Sequence, residues 1–278
     1  MKTKLIIRKL ILSIIMLVLA LLVVYPFVLM FTSSFKPLNE IYQYPPKLWS
    51  ENASLINYKK VLFEQNPPFW KYVNNTMIVT LISVAGTIIT ASLGGYAFAK
   101  MKFKGRDALF LLYLATMMVP FQALMVPQFL LFKTLGIFNT LGALIFPRLF
   151  TPLGTFLMRQ YFTDIPNEII EAGEIDGASE FKIFRALVFP LAKPAAATVV
   201  ILNFVWRWND YEAPLIFISS KNLYTLTVGL TNFIDDAGMA AENMVMSGAV
   251  IATIPILIIY IMGQKYIIEG MTAGSVKG

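Results

Sequence analysis

The sequence predicts an all-α, polytopic membrane protein with six transmembrane helices and both termini in the cytoplasm. Three observations lead there. Of its 278 residues 57% are hydrophobic and only 14% charged, against about 25% charged in a soluble domain. The charges leave four long gaps: Leu10 to Phe35, Tyr72 to Ala99, Ala108 to Phe132 and Asn243 to Gln264, which are 26, 28, 25 and 22 residues long. A bilayer core about 30 Å thick takes roughly 20 helical residues, so each gap is long enough to cross, whereas a soluble helix of that length shows a polar face. Third, a six-span topology starting inside puts 14 Lys and Arg in cytoplasmic segments and 7 outside, the bias that orients membrane proteins.

In chain order, residues 1–9 form a cytoplasmic tail carrying Lys2, Lys4, Arg8 and Lys9. The first gap is too long for a signal-peptide core and lacks a small-residue cleavage site after it, so it reads as a retained helix. An external loop, 33–73, is rich in Pro and aromatics; Trp49 and Trp70 suit interfacial anchoring. Asn52-Ala53-Ser54 and Asn74-Asn75-Thr76 match a glycosylation sequon, and a helix start at Asn75 explains the second equally well. The second and third gaps give spans two and three, with Pro120, Pro127 and Gly94-Gly95 read as kinks and close helix contacts.

Two further spans are less clean. Leu141 to Met158 contains Arg148, Pro147, Pro152 and Gly154; the other starts at Pro194, which suits a first helical turn, and runs into Arg207, Asp210 and Glu212 near its outer end. A cytoplasmic loop, 159–193, separates them. An external loop, 214–243, precedes the sixth span, and the six-helix unit closes at residue 265 before a cytoplasmic tail, 266–278.

Composition excludes much chemistry. With no Cys and no His there is no disulfide, no Cys or His metal site and no Ser-His or Cys-His nucleophile pair. No catalytic residue, cofactor site or metal site is predicted. The net charge of +7 is accounted for by topology, not by nucleic acid. There is no G-x-x-x-x-G-K-[ST] string, so energy for any transport comes from a partner or an ion gradient.

The loop 159–193 is unlike the rest. Six of the sixteen acidic residues (Asp164, Glu168, Glu171, Glu174, Asp176 and Glu180) fall within 17 positions. Glu168, Glu171 and Glu174 share one arc of a helix, with Ile169, Ile170 and Gly173 turned away. Asp176-Gly177 breaks that helix. A second short helix spans Ala178 to Phe189, with Phe181, Phe184 and Val188 on one side, and Pro190 ends it. The pattern fits either a solvated acidic face or a docking element with exposed Phe residues and an acidic rim.

Glu171-Ala172-Gly173, Gly177 and Leu187-Val188-Phe189-Pro190 resemble the EAA motif of ABC importer permeases, E-A-A-x3-G-x9-I-x-L-P. Gly173 replaces the second Ala, Leu187 the Ile and Phe189 the Leu. The string from Ile165 to Ser179, Gly95-Tyr96-Ala97-Phe98-Ala99-Lys100, Met118 to Gln122, Trp208-Asn209-Asp210-Tyr211 and the tail Gly274 to Gly278 are similar to the carbohydrate-importer branch, the maltose-type second permease subunit. The resemblance implies a type I importer transmembrane domain in the cell membrane, moving a sugar by alternating access. It implies partners: a second permease subunit, two cytoplasmic ABC ATPase subunits, an extracellular or periplasmic solute-binding protein and the surrounding lipid. In this family the EAA loop seats in a cleft of the ATPase, with Glu171 as its acidic contact and Gly177 as its turn. Glu168, Ala172, Gly173, Asp176, Ala178, Phe181, Phe184 and Pro190 complete that coupling loop. Gly274, Ser275, Val276 and Lys277 would reach toward the ATPase, and 214–242 would face the binding protein. Arg148, charged inside a span, has two readings. It pairs structurally, with the partner permease or with carbonyls freed around Pro147 and Pro152, or it lines the pathway and contacts solute such as an acidic sugar.

Two other classes compete. An ion-driven transporter calls for midmembrane acids, which the four gaps lack; a paired-Asp intramembrane protease calls for a G-x-G-D string, which is missing.

Overall fold

A computed structural model describes residues 2–233 and 241–273, with side chains described from Ile6 to Tyr266. The described chain is helical and contains no strand. It divides into two compact units: Met1–Trp70 with Gly229–Ile254, and Lys71–Val228 with Pro255–Gly278.

Four segments are long and apolar enough to cross a bilayer: Ile6–Ser33, Phe69–Lys100, Leu141–Asp164 and Glu242–Tyr266. Two bent helix pairs raise the number to as many as six. The first, second and fourth charge-free gaps each became one helix. The third did not. Arg106–Met118 and Phe121–Thr134 meet at 95°, a turn rather than the kink expected at Pro120. Pro120 sits at the junction with φ −66° and ψ 144°; its ring fixes φ and biases Val119 away from helical ψ, so the first helix stops there. The other pair, Glu180–Leu191 and Lys193–Trp208, meets at 79°. The helix of the first segment starts at Lys2 and that of the last runs on to Ala273, into both stretches expected as tails.

In the first unit, the window of Ile6–Ser33 buries none of its residues. The polar knot after it is well satisfied. Asn57 donates to the carbonyls of Ser34 and Lys36 at 2.9 and 2.8 Å and accepts from Asn243 at 2.9 Å. Ser247 donates to the same Ser34 carbonyl at 2.9 Å. Asn52 donates to Glu40 at 2.7 Å; Ser50 and then Asn52 hold that carboxyl below its ordinary range.

The second unit is built on close helix contacts. A Cβ on Gly95 would lie 2.7 Å from Met158 Cβ and 2.9 Å from the Arg159 backbone nitrogen. Only glycine lets Phe69–Lys100 lie this near Pro152–Asp164, as the Gly94-Gly95 pair suggested. Thr151 caps the latter helix, accepting from Gly154 N–H, with Pro152 in its first turn. Asn75 lies inside Phe69–Lys100, not at its start, and donates to the carbonyls of Asn222 and Tyr224. One hydrophobic core gathers Ala91, Tyr96, Met158 and Val199 with Phe162, Ile183, Phe184 and Val188 of the loop 159–193.

Candidate functional site

The acidic loop folds into two short helices tied to the end of Phe69–Lys100. The first is Glu168–Ile175. Glu168 and Glu171 occupy its first turn, where the helix dipole favours negative charge. Its C-terminus closes in a Schellman motif: Gly177 N–H donates to Glu174 O and Ala178 N–H to Gly173 O, both at 3.0 Å. That motif needs a left-handed residue, and Gly177 has φ +71°. The glycine turn expected from Asp176-Gly177 is therefore present.

The helix presents two faces. Ile169, Ile170 and Gly173 turn inward, as the spacing indicated, while Glu168, Glu171, Ala172, Glu174 and Asp176 are exposed. Gly173 is needed for packing: a Cβ there would come within 2.9 Å of Ile183 and 3.0 Å of Leu187. Ile175 stands 85% exposed beside the carboxylates. Sequence reasoning missed it, although an apolar residue one position after Glu174 falls on the same arc.

The second helix departs from expectation. It runs Glu180–Ile183, widens into a π-turn over Phe184–Val188 and ends as Phe189–Leu191. Pro190 lies inside the last turn and does not end it. Lacking an N–H and clashing with the carbonyl four residues back, proline forces the wider turn ahead of it. Phe184 is also corrected. It is only 9% exposed, with its ring 5.2 Å from Tyr96 and 6.3 Å from Phe162, because the π-turn rotates it into the core with Val188. Phe181 alone stays exposed, at 62%. It borders an apolar groove of about 250 Å³ shared with Ile88, Leu93 and Arg185.

One helical turn holds both short helices. Lys100 Nζ donates to Ile165 O at 2.6 Å and to Asn167 Oδ1 at 2.7 Å, just ahead of the first. Tyr96 OH donates to Glu180 Oε2 at 2.9 Å, at the start of the second. So Gly95 to Lys100 docks the loop on the helix, a role its sequence did not reveal. Tyr96→Phe keeps the ring cluster and deletes one hydrogen bond, worth about 1–3 kcal/mol for a carboxylate acceptor. Faster amide hydrogen exchange across residues 178–184, with unchanged exchange in the Lys193–Trp208 helix, is the expected readout.

Arg148 lies elsewhere. Its Nη2 is 3.0 Å from Asp210 Oδ2, within the same chain. The carbonyls freed at the break are taken by threonines of Phe69–Lys100: Thr87 donates to Arg148 O at 2.8 Å and Thr90 to Leu149 O at 2.6 Å. Within this chain, the structural pairing of Arg148 is made with the Asp210 carboxylate and not with the carbonyls around Pro147 and Pro152. Glu212 accepts from Gln122 Nε2 at 3.1 Å. Gly274, Ser275, Val276 and Lys277 lie outside the described residues. Among the described residues no group of three or more Asp or Glu could hold a metal ion.

The profile of the family described as "Binding-protein-dependent transport system inner membrane component" matches residues 91–272, which include the acidic loop and both flanking helices. The chain belongs to this family. It is 33% identical over 260 residues to the arabinooligosaccharides transport system permease protein AraQ of Halalkalibacterium halodurans, covering 93% of each chain. It is 31% identical over 275 residues to the trehalose/maltose transport system permease protein MalG of Thermococcus litoralis, covering 98% of each. Among solved structures it matches a chain of a bacterial ABC transporter involved in import of the acidic polysaccharide alginate, with TM-score 0.84 and 26% identity over 94% of this chain and 96% of that one. The resemblance to sugar-importer permeases is borne out by these relatives, which are transport subunits and not enzymes.

Proposed function

We propose that this permease moves an oligosaccharide across the cell membrane by alternating access, driven through the loop 159–193 by a separate ATPase. The observation that carries this reading is the free face of Glu168–Ile175: Glu171, Ala172, Glu174 and Ile175 point away from the core on a helix whose start is held by Lys100, while Tyr96 holds the helix that follows. A carboxylate row with an apolar knob suits a cleft with basic and apolar walls. A push on that face passes to Phe69–Lys100 through three hydrogen bonds and a packed aromatic core, a stiff route.

The bent pairs count as one span each in this reading, giving six spans within 10–265 and cytoplasmic termini. Two ATPase subunits and a second permease complete the membrane complex, with the tail from Gly274 to Lys277 near the ATPase. The external solute-binding protein docks on the 214–243 side. The names of the relatives support an oligosaccharide as solute.

The absence of cysteine makes single-cysteine labelling clean. In the assembled importer, Tyr44→Cys should react with a membrane-impermeant thiol reagent only from outside. Ala172→Cys should react only from the cytosolic side, and only after the ATPase subunits are stripped away. Outside labelling of Ala172→Cys, or labelling indifferent to the ATPase, would overturn the reading.

A further inference from the structure

Arg148 and Arg207 share one carboxylate. Asp210 Oδ2 is 3.0 Å from Arg148 Nη2 and 4.0 Å from Arg207 Nη1. The carboxylate is therefore spent on Arg148 and too distant to hydrogen-bond Arg207. Arg207 has only 12% of its side chain exposed, and its Nε–H is buried without a hydrogen-bond partner among the described residues. Two guanidiniums against one carboxylate leave a surplus positive charge.

The depth of this cluster makes the surplus costly. The Arg148 carbonyl is held by Thr87, the nineteenth of the 32 residues in Phe69–Lys100, close to the middle of that helix, so Arg207 and Asp210, expected near the outer end of their span, are drawn to a residue anchored deeper. A buried charge there persists when it has a partner or a task. Neighbours fix the geometry around it: the Phe121 ring lies 5.4 Å from the Arg148 guanidinium, and Thr227 donates to Asp210 O at 2.6 Å. The polar groups are preorganised and one negative charge is missing.

We propose that Arg148 and Arg207 form a subsite for the carboxylate of an acidic oligosaccharide, one containing a uronic acid, as it passes mid-membrane; this rests on the oligosaccharide-permease reading above. A guanidinium presents a planar fork that matches a carboxylate in two parallel hydrogen bonds. An incoming carboxylate on Arg207 brings the cluster to two charges of each sign. A neutral sugar supplies hydroxyls and leaves the surplus in place.

The test uses the assembled, nucleotide-free importer in lipid nanodiscs, with trigalacturonate and the neutral galactotriose as probes and saturation-transfer NMR as readout. Trigalacturonate should half-saturate at a concentration at least about tenfold below galactotriose, the size of one charge-assisted hydrogen bond. Arg207→Gln, which keeps the Arg148–Asp210 pair, should erase that preference. Arg207→Lys, which keeps the charge and loses the fork, should reduce it by a smaller factor and serves as the second variant if the first does not assemble. Equal half-saturation of the two sugars, or a preference intact in both variants, overturns the site. Binding is read without ATP, so the permease reading fails separately, if the same importer moves no saccharide when ATP is supplied.

Discussion

Glu171→Lys is expected to leave the permease folded and inserted while uptake falls by about 10–100-fold and ATP hydrolysis by the assembled importer continues. The magnitude follows from turning an attractive interfacial charge into a repulsive one, which costs several kcal/mol at a desolvated contact. Glu171 is exposed and outside the core, so the substitution creates no cavity and buries no charge in this chain. The contrast is Gly177→Val. Gly177 has φ +71°, where a β-branched residue is strained by about 1–3 kcal/mol, so the Schellman closure opens and the helix frays. Gly177→Asp should do the same more mildly, because Asp tolerates the left-handed region better. Labelled-sugar uptake measured beside phosphate release in proteoliposomes decides the matter. Uptake that stays coupled in both Glu171→Lys and Gly177→Val rules out this face as the point of coupling.

The second large effect concerns stability. Asp210→Asn removes the carboxylate that two guanidiniums share, and breaking a buried ion pair from one side costs about 3–5 kcal/mol. The melting temperature of the purified permease should drop by roughly 10 °C or more, given about 2–4 °C per kcal/mol at this size. Arg207→Gln removes the unmatched cation and should raise the melting temperature or leave it in place. The opposite order, with Arg207→Gln the more damaging, would mean that Arg207 is the structural partner of Asp210 and Arg148 the surplus charge. Size-exclusion profiles after a temperature series supply the measurement.

Much of this was legible in the residues. Lengths of charge-free sequence located three straight spans, because removing a backbone from water demands both apolar side chains and internal hydrogen bonding, and a helix of about 20 residues meets both conditions. The acidic arc of Glu168, Glu171 and Glu174 followed from helical spacing, and the turn at Gly177 from the chemistry of glycine. Local rules reach no further than a few residues. They treated Ala108 to Phe132 as one clean span, since hydropathy does not register whether a proline will tilt a helix or turn it through 95°. They also placed Phe184 on the outer face, because the π-turn that rotates it arises from Pro190 acting on the turn before it.

The sequence by itself determined the membrane class, the charge bias that argues for an orientation, the lack of His or Cys chemistry and the existence of an acidic loop. Each is a property of composition or of neighbours along the chain. Tertiary structure alone decided the partners that lie far apart in sequence. Arg148 found Asp210, 62 residues away, and Tyr96 found Glu180, 84 residues away. Which of several carboxylates a cation meets depends on how helices cross, and that crossing is set here by close approaches such as Gly95 against Met158. A single charge in a span announces that a partner is needed; only the packing of the helices says which group supplies it, and that Arg207 is left without one of its own.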